Sequence, residues 1–300
     1  MFARKVTFEP HKITDADVDQ LKKHYTDKQI LEMLLSIAGN NAINRWKDGA
    51  GIPQSKSGRQ FARNTEATPN RILPIETYLT PTSAQYSKCV TKVTPTRIDP
   101  KTGLPTVVSD PTRPALESRE EVEKALAACR TRTPRLPLVD AAKAKELLAD
   151  AASDQAPASF MNLLANFPVS GKSRLKTQVV AEEKGQLTPL LKAQVSWVIA
   201  RQDRAWYATA EAKRRLKALG QTDDQIYALD GDWTSLTSAE RAMLTVARNL
   251  AASPIIMTEE DATNAVKATC TRDVVQLVNY VTLRASFDRI TEVAGLRAEE

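Results

Sequence analysis

One repeat at a fixed spacing constrains this chain more than any other feature. Residues 2–52 and 246–296 run side by side at a constant offset of 244, without a gap. Ala3-Arg4 faces Ala247-Arg248, Pro10 faces Pro254, Lys23 faces Lys267, Arg45 faces Arg289 and Gly51 faces Gly295. Thr14 and Asp17 face Thr258 and Asp261. That pairing is a loose capping box: the hydroxyl accepts from the backbone three residues on, and the acid returns the bond. Ile30, Met33, Leu34 and Ile37 face Val274, Leu277, Val278 and Val281, an apolar stripe at helical spacing in both copies. Met1 falls inside what would match a helix over 238–252. Residues 1–52 therefore read as the C-terminal half of a module that is complete elsewhere in the chain.

The remaining helix signals agree with all-α architecture. Thr26 with Gln29 boxes the second helix of the first copy, and Gly49, Gly51 and Pro53 stop it. Ser118 with Glu121 opens a helix to about Cys129, Asp140 caps another to about Asp150, and Pro157 begins a third that ends near Pro168. A fourth covers roughly 169–183. Thr188-Pro189 opens a fifth, with Leu191, Val195, Val198 and Ile199 inward. The chain breaks near Gln202 and resumes through Trp206 to Gly220. Thr237 or Ser238 with Glu240 begins a helix to about Ala252, Thr258 with Asp261 begins the next, and a last long helix runs from about 271 to 292.

Between these lies a different stretch. Pro53, Pro69, Pro74, Pro81, Pro95, Pro100, Pro105, Pro111 and Pro114 interrupt every possible helix. Asp99-Pro-Lys-Thr-Gly103 supplies turn geometry for a short hairpin within 90–108. The stretch keeps Ile72, Leu73, Ile75, Tyr78 and Leu79, so an arm that wraps other parts is expected. The expected division is a half-module at 1–52, a Pro-rich arm at 53–117 and a complete helical module at 118–300.

Composition removes several function classes. Apolar residues make up 42% but aromatics only 5%, so the core must be mostly Leu, Val, Ile and Ala. Cys89, Cys129 and Cys270 are odd in number and none is at Cys-x-x-Cys spacing, and only His11 and His24 exist. No disulfide framework and no metal site follows, and a reducing, cytoplasmic setting is the default. No run of eighteen apolar residues offers a membrane span. The net charge of +6 and a pI near 9.2 permit a polyanion, but no block of one sign argues for nucleic acid. The densest cluster, Lys213, Arg214, Arg215 and Lys217, reads as a solvated helix face.

Residues Leu190 to Gly220 resemble the central helices of the AhpD-like, or carboxymuconolactone decarboxylase-like, superfamily. The acidic Thr222-Asp-Asp start, the helix Glu240–Leu250, Met257-Thr-Glu-Glu-Asp261 and the long last helix fit the same resemblance. It covers roughly 170–296, and 2–52 in part. The resemblance implies an all-helical fold, frequent duplication, and assembly as a trimer or hexamer. Its alkylhydroperoxidase members use a Cys-x-x-Cys pair, a His one turn on and a Glu on the preceding helix. Here the two Cys positions fall on Ala205 and Ala208, the His position on Ala212, and the Glu position near Ala193. A thiolate that attacks peroxide needs a resolving partner, so thiol chemistry at this place is not expected.

Arg201-Gln-Asp-Arg-Ala-Trp-Tyr207 stands there instead. As a site, Asp203 is a base, Arg204 an anion clamp and Tyr207 a donor or acid, with Trp206, Gln202 and Arg284 lining a pocket. As structure, Asp203 is a cap, Arg204 is paired locally, and Trp206 and Tyr207 are core anchors. Arg284, Asp288 and Arg289 either line that pocket or form a surface ion network. Cys129 and Cys270 lie near basic residues and are weaker thiol candidates. Three functions compete: a thiol-free enzyme acting on a small molecule, an anion included; a non-catalytic member that binds a ligand or builds a homo-oligomer; and a basic nucleic-acid binder. A peroxidase whose cysteines lie outside this chain is a further alternative. No cofactor is implied.

Overall fold

A computed structural model describes residues 2–51, 97–98, 105–106, 115–151, 153, 156–253 and 255–299. Among them the chain is all-α, apart from one antiparallel pair in which Arg97 faces Thr106 and Ile98 faces Pro105. That pair stands on either side of the Asp99–Gly103 segment, which itself lies outside the described residues. The rest of the arm up to residue 114, with Ile72, Leu73, Ile75, Tyr78, Leu79 and Cys89, lies outside the described residues.

The N-terminal elements are α1 (Phe2–Phe8), a 3-10 turn (Pro10–Lys12), α2 (Asp15–Lys22) and α3 (Asp27–Gly49). Next come α4 (Arg119–Thr131), α5 (Ala141–Leu147), α6 (Ala158–Leu164) and α7 (Pro168–Glu183). The chain continues through α8 (Pro189–Asp203), α9 (Trp206–Ala218) and α10 (Asp223–Ala228), then α11 (Ser238–Ala251), α12 (Glu259–Ala268) and α13 (Thr271–Val293). Thr14, Thr26, Ser118, Thr237 and Thr258 all close two-way capping boxes, as their spacing predicts. Each such cap contributes about 1 kcal/mol by satisfying donors that the first turn leaves open. Thr222 with Gln225 closes a sixth over the short α10, which periodicity alone does not reveal. The break expected near Gln202 falls at Arg204, and the helix expected to reach Asp150 stops at Leu147.

The offset of 244 holds in three dimensions. Helices α3 and α13 are both 23 residues long, and both of their ends correspond at that offset. Ala50 and Ala294 are the matching C-caps, followed by Gly51 at φ 61° and Gly295 at φ 65°. Both glycines occupy the left-handed region that ends a helix cheaply only without a Cβ. Lys5 donates to Asp17 at 2.7 Å, and its counterpart Asn249 donates to Asp261 at 3.0 Å. Position 26 in the first copy is a capping Thr, whereas Cys270 in the second caps α13 with no side-chain bond.

The two long helices pack antiparallel. The Ile30–Leu35 half of α3 shares a core with Phe287, Ile290 and Val293 of α13, and Gly49 at its other end meets Val278 and Leu250. Leu163, Leu164 and Leu175 from α6 and α7 complete that first core. A second core gathers Val195, Trp197, Val198 and Ile199 of α8 with Leu244, Val246 and Leu250 of α11 and Leu277, Val278 and Val281 of α13. Helix α13 therefore runs through both, and residues 2–51 have no core of their own.

Two arginines lock the copies together. Arg45 reaches from α3 to the C-terminal end of α11, donating to the carbonyls of Leu250 and, at 2.7 Å, Ala252. Arg289 reaches from α13 to the end of α1, donating to the Thr7 carbonyl at 3.1 Å. Both also donate to the Ser253 hydroxyl, at 2.6 and 3.2 Å. Each arginine thus caps carbonyls of the other copy, which a helix end otherwise leaves open.

Candidate functional site

The turn between α8 and α9 gathers most of the residues singled out in the sequence. It turns on Arg204, which takes φ 53° and ψ 39°. A left-handed side-chain-bearing residue costs about 1 to 2 kcal/mol, so its surroundings must hold it. Arg204 Nε donates to Glu117, and Nη2 donates to the Ala115 carbonyl at 3.0 Å. Glu117 also accepts from Arg201 at 2.9 Å. Burial pushes the Glu117 carboxyl up, but the bonds it accepts, from its own backbone, Arg204 and Arg201, outweigh that and hold it below its usual range.

Asp203, Arg204 and Tyr207 are neighbours in the turn with three separate partners. Asp203 is buried and accepts from Arg289 Nη1 at 2.7 Å, with the arginine itself fully buried. Arg204 belongs to Glu117. The Tyr207 hydroxyl donates to Glu299 at 2.9 Å. Burial, then the Glu299 carboxylate, push that phenol well above its ordinary range, so it acts as a donor. The Trp206 amide N–H donates to Glu292 at 2.8 Å, and the Arg201 guanidinium stands 5.8 Å from its ring centre. Gln202 is half-buried, its Oε1 unpartnered among the described residues.

Arg284 lies elsewhere, in a buried polar network that the sequence did not reveal. Its Nη2 donates to Glu211 at 2.9 Å and its Nη1 to Glu182 at 3.3 Å. Glu182 accepts from the Tyr280 hydroxyl at 2.9 Å and from Arg215. Tyr280 and Ser196 share a bond of 2.8 Å. Two carboxylates thus face two guanidiniums among α7, α9 and α13. Burial alone would lower Arg215 and Arg284. For Arg215 the fields of Tyr280, Glu211 and Glu182 reverse this, for Arg284 chiefly that of Glu211, and both are held above the usual guanidinium range.

Two expectations of exposure are corrected here. Arg284, Asp288 and Arg289 are at most 1% exposed and form no surface network. Within the cluster read as solvated, Arg215 joins the buried network, Lys213 bonds Glu123 at 2.5 Å and Lys217 meets Asp223 at 3.0 Å. Only Arg214 of the four is exposed with no ion-pair partner among the described residues. A basic residue three or four positions from an apolar stripe gave no signal of which neighbour would claim it.

The positions that the resemblance assigns to chemistry are filled with packing. Ala205 and Ala208 belong to the first core, Ala193 and Ala212 to the second, and all four are fully buried. Cys129 is buried with its thiol 3.6 Å from the Leu296 carbonyl, and burial pushes it up, away from thiolate character. Among the described residues no group of three or more His, Cys, Asp or Glu is placed to hold a metal ion, and no helix is long and apolar enough to cross a membrane.

The sequence matches no family model and no curated protein. Among solved structures, the backbone is similar to a cysteine-to-alanine variant of the debrominase Bmp8 in complex with 2,3,4-tribromopyrrole. The TM-score is 0.44 at 13% identity, over 64% of this chain and 94% of that one. The ligand-free debrominase gives 0.44 at 12%, over 61% and 90%. Likeness at this level bears on neither the site nor the chemistry.

Proposed function

We propose that this chain is an AhpD-like helical protein without thiol chemistry that binds rather than turns over. One observation carries the reading: the carboxylate best placed to act as a base, Asp203, is buried against Arg289. A general base must reach the proton it takes. Asp203 reaches an arginine whose other bonds go to Thr7, Ala285 and Ser253. Its partner is therefore structural. The buried alanines at positions 193, 205, 208 and 212 support the same reading, and assembly as a trimer or hexamer belongs to it.

Two measurements test it together. Consumption of hydrogen peroxide and an organic hydroperoxide, with a dithiol reductant, should be no faster for the chain than for a variant with all three cysteines changed to serine. Asp203→Asn should lower stability in urea by about 3 to 5 kcal/mol, because it leaves Arg289 buried without its counter-charge. Turnover that Asp203→Asn abolishes at unchanged stability would make Asp203 catalytic and end the proposal.

A further inference from the structure

A small crevice beside α9 already holds a carboxylate, and that carboxylate is the chain's own. Tyr207, Ala210, Glu211, Arg214, Ala298 and Glu299 line it. Glu299 Oε1 accepts from the Tyr207 hydroxyl at 2.9 Å and from the Ser159 amide N–H at 2.7 Å. The two ends of the first bond are unequal. Tyr207 is 2% exposed and fixed in the core, whereas Glu299 is exposed on the segment that follows α13. Arg214 stands at the same crevice without an ion-pair partner among the described residues, while Glu211 is committed to Arg284.

At 3.6 residues per turn, positions 207, 210, 211 and 214 form one face of α9. Ala208 and Ala212 lie about 110° to 150° round the helix from the middle of that face, and Ala205 precedes the helix. The crevice is therefore a different place from the one at which the resemblance puts thiol chemistry. Beside Glu299 its polar groups are the buried Tyr207 phenol, the Ser159 amide N–H, the Arg214 guanidinium and the Glu211 carboxylate that Arg284 neutralises, and a buried donor left without an acceptor costs about 1 to 3 kcal/mol. Something must accept from Tyr207 whenever Glu299 does not.

We propose that this crevice is a subsite for a small monocarboxylate, recognised by the Tyr207 hydroxyl and the Ser159 amide N–H with the Arg214 guanidinium at its rim, and that Glu299 occupies it as a tethered competitor. The ligand class follows from the occupant, since a glutamate side chain beyond its Cα is propionate. The tether is short, Ala294 to Glu299, and a short tether holds its end at an effective concentration on the order of millimolar. A free carboxylate must exceed that concentration to displace it. The inference rests on the binding reading above and gives it a ligand class and a place.

The test is a titration of the full chain with propionate, followed by amide chemical shifts and by the rise in melting temperature that a ligand of the folded state produces. Glu299→Ala should bind propionate at least ten-fold more tightly than the unaltered chain and should ignore propionamide, the uncharged isostere. Adding Arg214→Gln to Glu299→Ala should weaken binding several-fold, and adding Tyr207→Phe should abolish it. Glu299 and Arg214 are both exposed, so their variants keep the fold. Equal affinity for propionate with and without Glu299, or binding by Glu299→Ala that Arg214→Gln leaves unchanged, would overturn the subsite. Hydroperoxide turnover would end the proposed function and leave this titration untouched, so the two ideas fail separately.

Discussion

Asp288 sits on α13 between two arginines and bonds to neither. Both of its oxygens are buried without a hydrogen-bond partner among the described residues. Burial pushes its carboxyl well above the usual range; Arg284 and Arg289 pull the other way, while Asp203 and Glu211 add to the push. The folded chain therefore holds that proton to higher pH than the unfolded chain does. The unfolded chain releases that proton near the ordinary carboxylate value of about 4. Stability contributed by this group is present below that value and is lost as pH rises from there toward the folded value. Asp288→Asn keeps the shape of the protonated acid and removes the dependence. Urea denaturation should find it more stable than the unaltered chain at pH 7, by about 1 to 3 kcal/mol, and equal to it near pH 3.5. The same small margin at both pH values would mean that the folded chain carries Asp288 ionised. Nothing in the sequence marks Asp288 for this. Its neighbours Glu211 and Asp203 arrive from other helices, and charge spacing along one helix cannot report them.

At the scale of elements, local signals were the readable ones. Thr14, Thr26, Ser118, Thr237 and Thr258 announce helix starts because cap and partner lie three residues apart. Gly49 shows the limit of that reading. It looks like a helix stop, yet it is the last helical residue of α3, and its lack of a side chain serves packing. A methyl group placed there would stand 2.8 Å from Leu250 Cδ2 and 2.9 Å from Val278 Cγ1. Intrinsic propensity favours alanine over glycine in a helix by about 1 kcal/mol; the crowding works against it by about 1 to 3 kcal/mol. Gly49→Ala should thus be destabilising in thermal melts, whereas Gly39→Ala, whose new methyl would meet only the flexible end of Arg174 at 3.4 Å, should not. A stabilised Gly49→Ala chain would mean that α3 and α13 can move apart without penalty. The candidate site was half legible for the same reason. The cluster Arg201–Tyr207 stood out by composition, but its partners Glu117, Glu292 and Glu299 lie 84 to 92 residues away in sequence.

Across the whole molecule, the first fifty residues and the last helix are one packing unit. Leu34 shares its core with Phe287, Ile290 and Val293. Leu34→Ala should cost about 2 to 5 kcal/mol, and the loss should be felt at a distance. Hydrogen exchange should speed up in residues 287–293 together with 30–38. If only α3 exchanged faster while the end of α13 stayed protected, the N-terminal helices would be an independent unit and the shared core would be incidental. The offset of 244 was visible in the sequence because both copies keep the same caps and stripe. That the copies meet face to face was not, since a repeat fixes what each copy can form and leaves open what it touches.

The reciprocal arginines give that meeting a direction in time. Arg45 is 205 residues from its acceptor at Leu250, and Arg289 is 282 residues from Thr7. At about 5 to 20 residues per second, a ribosome takes roughly ten seconds to a minute to deliver the second partner after the first. Throughout that wait Ile30 and Leu34 lack Phe287, Ile290 and Val293, and the guanidinium of Arg45 has none of its carbonyls. The growing chain therefore carries an unsatisfied helix pair for as long as the 205 to 282 residues between the partners take to be made, and any factor that shields nascent apolar surface has that interval in which to act.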